Sequence, residues 1–134
     1  MTKLSEIEGI GPKYAEKLNG CGISSQEQLL LEGGAPAGRK KIAKESGIGD
    51  GLILKWINRA DLARVKGIGS EYADLLECAG IDTVPELAQR NAANLHAKLG
   101  TVNEEKKLVR SLPTENMVTD WIEQAKGLKR AITY

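Results

Sequence analysis

Residues 7–18 read IEGIGPKYAEKL, and fifty-eight positions later residues 65–76 read VKGIGSEYADLL. Both stretches carry Gly-Ile-Gly followed by Tyr-Ala and then Leu. Two glycines separated by one residue let the chain reach positive φ and clear the turn of side chains. Pro12 comes directly after the first turn. Proline suits a first helical position, where its missing N–H has no partner to lose. The spacing therefore predicts a helix ending near Ile7 and a second helix opening at Pro12. Ile10 and Ile68 should turn inward as anchors, while Ala15 and Ala73 let the flanking helices approach closely.

The repeat extends beyond the turn. Across residues 7–23 and 65–81, eight of seventeen positions are identical: Gly9, Ile10, Gly11, Tyr14, Ala15, Leu18, Gly22 and Ile23 recur as Gly67, Ile68, Gly69, Tyr72, Ala73, Leu76, Gly80 and Ile81. WINRA at 56–60 returns as WIEQA at 121–125, now sixty-five positions on, so the second copy is seven residues longer in its middle. Such self-similarity marks a duplication. The halves are expected at residues 1–64 and 65–134. Each alone is small for a comfortable core, so they are expected to pack as one compact unit.

The remaining pattern is helical. LILKWINRADLARV sets Leu52, Ile53, Trp56, Ile57 and Ala60 on one helix face, and strict apolar–polar alternation is absent. Gly22 and Gly80, each followed by Ile, read as C-terminal glycine caps with a hydrophobic contact. Ser24-Ser25 and Asp82-Thr83 offer N-cap oxygens, and Pro85 falls in the first turn of the helix that follows. The expected fold is all-α, with about ten short helices and no sheet.

Composition narrows the function classes. The 134 residues are 41% hydrophobic with no Phe, so the core must be aliphatic, and the net charge of +1 selects no partner class. Cys21 and Cys78 belong to no Cys-x-x-Cys pair, and His96 is the sole histidine, so no metal site is expected. Two free thiols and no apolar run near the ~20 residues that span a bilayer point to a cytosolic protein away from membranes. Gly33 and Gly38 have the spacing of a phosphate loop, but Arg39 stands in the lysine position, no Ser or Thr follows and no strand precedes. No convergent set of titratable groups marks a catalytic centre. The expectation is a non-enzymatic protein without a cofactor.

The pattern hydrophobic-x-Gly-hydrophobic-Gly-x-x-x-Ala-x-x-Leu, matched by Ile7 to Leu18 and by Val65 to Leu76, resembles the helix-hairpin-helix signature. Paired copies look like the tandem helix-hairpin-helix domains of DNA repair and recombination proteins. CGISSQEQLL and AGIDTVPELA also resemble the C-terminal domain of the RNA polymerase α subunit. Over nearly its whole length the chain is similar to an uncharacterised bacterial domain family of unknown function. The stretches 52–91, 95–99, 102–113 and 121–134 carry that resemblance. The domain-family resemblance strengthens the fold and implies no activity, whereas the helix-hairpin-helix resemblance implies two such hairpins in pseudo-duplicated halves, with hairpin amides that contact DNA phosphates without reading sequence.

Two readings of the candidate residues follow. In the first, Gly9, Gly11, Lys13 and Lys17 form a phosphate site at a helix N-terminus, helped by Arg39, Lys40, Lys41 and Lys44, with Lys66, Gly67 and Gly69 as a second such site. Binding to a DNA or RNA backbone would be weak and sequence-independent, with a salt slope near about −3 for ~3–4 neutralised phosphates. In the second, the turns are structural, the basic run is a solvated helix face and the partner is a protein. Glu71 replaces Lys13 in the second copy, and a carboxylate there competes with phosphate for the same amides. Trp56 and Trp121 are expected in the core or between the halves, and Tyr14 and Tyr72 in the core or lining a groove with their hydroxyls at the surface.

Overall fold

The computed structural model describes residues 3–7 and 9–134. Among the described residues there are eight α-helices, one 3-10 turn at Leu4–Glu6 and no strand, an all-α chain with slightly fewer helices than expected. The helices are α1 (Pro12–Gly20), α2 (Gln26–Gly33), α3 (Pro36–Ser46), α4 (Asp50–Leu62), α5 (Ser70–Cys78), α6 (Val84–Ala88), α7 (Ala92–Lys106) and α8 (Glu115–Gly127). Lys3 and Ser25 form an isolated antiparallel bridge.

Two compact units divide the chain. The first comprises Met1–Asp61 together with Arg130–Tyr134, and the second comprises Leu62–Lys129. The division departs from the expected halves at 1–64 and 65–134 because Ile132, 2% exposed, lies in the core of the first unit. That core joins Leu18, Ile23, Leu29, Ile53, Trp56 and Ile57. The second unit has its own core, with Leu75, Leu76, Ile81, Leu87, Val118 and Trp121. Each Trp is therefore a core residue of its own unit, packed on the Tyr that follows the glycine turn: Tyr14 edge-on to Trp56 at 5.0 Å and Tyr72 tilted against Trp121 at 5.3 Å.

The local devices of the two units match closely. Gly22 and Gly80 have φ of +83° and +91°. In each case the glycine N–H donates to the carbonyl three residues back, and the next isoleucine N–H donates to the carbonyl five back, on Leu18 and on Leu76. This double bond pattern satisfies the last carbonyls of the helix and buries Ile23 or Ile81. Ser25 caps α2 by accepting from the Gln28 N–H at 3.2 Å. Thr83 does the reverse: its hydroxyl donates to Glu86 at 3.3 Å.

The seven extra residues of the second copy appear as a longer third helix and a longer link to the fourth. α7 runs on past the length of α3, and both end in a left-handed residue, Gly47 in the first unit and Lys107 in the second. The link that follows is built rather than loose. The Asn103 side chain brackets Val109, accepting from its N–H at 3.0 Å and donating to its carbonyl at 3.2 Å. Pro113 is buried, and Thr114 caps α8.

Candidate functional site

Both glycine turns close in the same way. Ile10 N–H donates to the Ile7 carbonyl at 3.1 Å, and Ile68 N–H to the Val65 carbonyl at 3.3 Å. Ile10 and Ile68 are buried, as their anchoring role requires. The first glycine of each turn is demanded from inside. Gly9 has φ +93° and Gly67 has φ +98°. A Cβ on Gly9 would stand 3.6 Å from Trp56 Nε1, and one on Gly67 only 2.9 Å from Trp121 Nε1.

The second glycine is different. Gly11 and Gly69 are N-caps of α1 and α5 in ordinary extended backbone, with φ of −83° and −89°. Among the described residues, a Cβ on either would meet nothing within 4 Å. Other glycines share open space and ordinary φ, but this pair alone recurs at equivalent places in both units. Neither helix has a side-chain cap, so the first-turn N–H donors face outward, as at any anion-ready helix start.

Charge separates the two turns. α1 carries Lys13, Lys17 and Glu16, whereas α5 carries Glu71, Asp74 and Glu77 and no cation. Lys13 and Lys17 are exposed, and Lys17 Nζ lies 5.9 Å from the centre of the Tyr14 ring. α3 packs beside α1 in the first unit and carries Lys40, Lys41 and Lys44, all exposed. Gly9 and Gly11 border α1, which carries Lys13 and Lys17, and the other three lysines lie exposed on the helix packed against it.

Arg39 stands apart from that group. Its Nη1 donates to the carbonyls of Gly33 at 3.0 Å and Gly34 at 3.1 Å, and its Nη2 to the Thr133 carbonyl at 2.8 Å. Its guanidinium also lies 5.7 Å from the centre of the Tyr134 ring. Three of its N–H donors thus go to backbone carbonyls, which sets it apart from the exposed lysines. The glycines around it have packing reasons as well. A Cβ on Gly33 would collide with Ile57, on Gly34 with the Ala131 carbonyl, and on Gly38 with the Glu32 carbonyl. Their spacing, which imitates a phosphate loop, is set by helix contact.

The second turn, with Lys66, Gly67 and Gly69, belongs to the other unit. Its backbone is braced by Gln124, which accepts from the Lys66 N–H at 2.9 Å and donates to the Lys66 carbonyl at 3.1 Å. The Tyr72 hydroxyl donates to the Ser111 carbonyl at 3.1 Å, tying the inserted link to α5. Sequence reasoning passed over Gln124 and Ser111. The available signal was the change of WINRA to WIEQA, which sets Gln124 where the first copy has Arg59.

Among the described residues no group of three or more His, Cys, Asp or Glu is placed to hold a metal ion. No described helix is long and apolar enough to cross a membrane. No curated protein and no solved structure matches the chain. The family described as Domain of unknown function (DUF4332) matches over residues 8–128, which takes in both glycine turns, and the chain belongs to that family.

Proposed function

We propose that the chain is a non-enzymatic binding module of the helix-hairpin-helix type that grips the phosphate backbone of nucleic acid, without reading sequence, through its first hairpin. The observation that carries this reading is Gly11. Its φ is ordinary and, among the described residues, its missing side chain leaves open space, so no described packing contact requires a glycine there. A body from outside, approaching the amides at the start of α1, supplies the reason. Lys13 and Lys17 border that approach, and Lys40, Lys41 and Lys44 extend it on α3. The free thiols of Cys21 and Cys78 fit a reducing, cytoplasmic setting.

The second hairpin favours a different role. Glu71 stands in its first turn, and Tyr72 is bonded to the inserted link. A carboxylate competes with phosphate for the helix N-terminus. The second unit therefore supports the alternative reading, a surface for a protein partner.

Fluorescence anisotropy of a labelled DNA duplex at about 50 and about 200 mM salt tests the nucleic-acid reading, with an expected slope near about −3. Gly11→Ala is the informative variant. It should leave the melting temperature unchanged, because alanine fits φ −83° and meets no atom, yet weaken binding by about tenfold. Lys13→Glu should weaken it further. A wild-type protein that leaves the duplex unbound at about 50 mM salt overturns the reading and sends the search to protein partners.

A further inference from the structure

We infer that the segment Arg130–Tyr134 is an autoinhibitory strap that holds a phosphate-reading arginine, Arg39, in a masked state; the inference rests on the nucleic-acid reading above. The segment has no regular secondary structure and belongs to the first unit, to which it returns after the whole of the second unit. Ile132 plugs the core at 2% exposure. The Thr133 N–H donates to the Gly34 carbonyl at 2.7 Å, and the Ala131 carbonyl fills the space that a Cβ on Gly34 would need.

The geometry around Arg39 identifies what the strap imitates. Nη1 is fixed from beneath by the carbonyls of Gly33 and Gly34, both inside the first unit's helical body. The Gly34 carbonyl also accepts from the Thr133 N–H, so Arg39 and the strap share that acceptor, whereas the Gly33 carbonyl lies within α2. Nη2 reaches a surface position and donates to the Thr133 carbonyl at 2.8 Å. A guanidinium fork held in this way is prepared for an oxygen of carboxylate or phosphate. The Thr133 carbonyl oxygen stands in for that phosphate oxygen, and the Tyr134 ring lies over the cation. Arg39 shares α3 with Lys40, Lys41 and Lys44, so lifting the strap frees one guanidinium donor, Nη2, on the helix that carries those cations.

The test compares the wild type with two strap variants. Ile132→Asp removes the plug, and Thr133→Pro removes the N–H that bonds Gly34 while leaving Ile132 in place. One added phosphate contact steepens the salt slope by about 0.9, so each variant should lose about 3.5-fold more affinity than the wild type between about 50 and about 200 mM salt. Adding Arg39→Gln to either variant should return the slope to the wild-type value. A second measurement needs no variant. Because coupling is reciprocal, saturating duplex must loosen the strap in the wild-type protein, and hydrogen exchange at the Thr133 amide should quicken. Wild-type binding with an unchanged slope in both variants and an unchanged or slowed Thr133 amide overturns the strap and leaves the first hairpin as the binding site. A duplex that neither the wild type nor the strap variants bind overturns the functional reading and the strap together. Binding by the strap variants alone supports the strap and overturns the first hairpin as a site that is open in the wild-type protein.

Discussion

Gly9 and Gly67 occupy one position in two copies of the same turn, and the same Tyr–Trp pair packs beneath each. Around that shared centre the copies diverge. The first turn opens a helix with two exposed lysines and has α3, with its lysines, beside it. The second opens a helix with three carboxylates, and its backbone and its tyrosine are braced by Gln124 and Ser111. Duplication preserved what the fold needs, which is the positive-φ glycine, the buried isoleucine and the cap. The outward-facing residues were free to change because no core contact held them. The comparison teaches that one turn geometry supports an open, cationic face and a closed, anionic one.

The sharpest break of the shared centre is removal of its tryptophans. Trp56→Ala and Trp121→Ala should each lower the unfolding free energy by about 3–5 kcal/mol in urea titration. Hydrogen exchange should place the lost protection in the core of the unit that lost its ring. Next comes the space above the indoles. Gly67→Ala should cost about 2–3 kcal/mol and Gly9→Ala about 1, because alanine is strained at positive φ in both, but the indole stands closer to Gly67. Equal costs would mean that the two turns are packed alike.

Charge exchange probes the outward faces. Lys13→Glu, which copies the second turn into the first, should weaken duplex binding by about tenfold. Glu71→Lys should strengthen it by about threefold or less, because α5 keeps Asp74 and Glu77. A gain as large as the loss would show that one charge separates the two faces, and that the inserted link does not. The smallest effect should have the opposite sign. Lys107 ends α7 at φ +51°, where the first unit uses Gly47. Lys107→Gly should therefore stabilise the chain by about 0.5–1 kcal/mol, read as a raised urea midpoint.

Much of this architecture was legible before any coordinates. Pro12 at the start of α1, the caps at Gly22 and Gly80, the buried Ile10 and Ile68 and the offset of the second copy all depend on neighbours a few residues apart. Such features follow from φ restrictions, lone N–H groups and helical periodicity, which a linear string records. The candidate site was legible in part, since exposed lysines on α1 and α3 follow from the same periodicity. Arg39 was not. It shares a basic run with Lys40, Lys41 and Lys44, yet it bonds a carbonyl 94 positions away.

The amino-acid sequence by itself determined an all-helical chain with two copies of a glycine turn and unlike charge at the two. The tertiary structure alone decided that residues 130–134 complete the first unit, that Gly33, Gly34 and Gly38 are glycines for packing, and that Gln124 and Ser111 close the second turn. The physical reason is one of range. Caps and helix starts are satisfied within a turn or two of chain, whereas these contacts, Gly38 against Glu32 excepted, join segments 24 to 97 residues apart and exist only when both are packed in place.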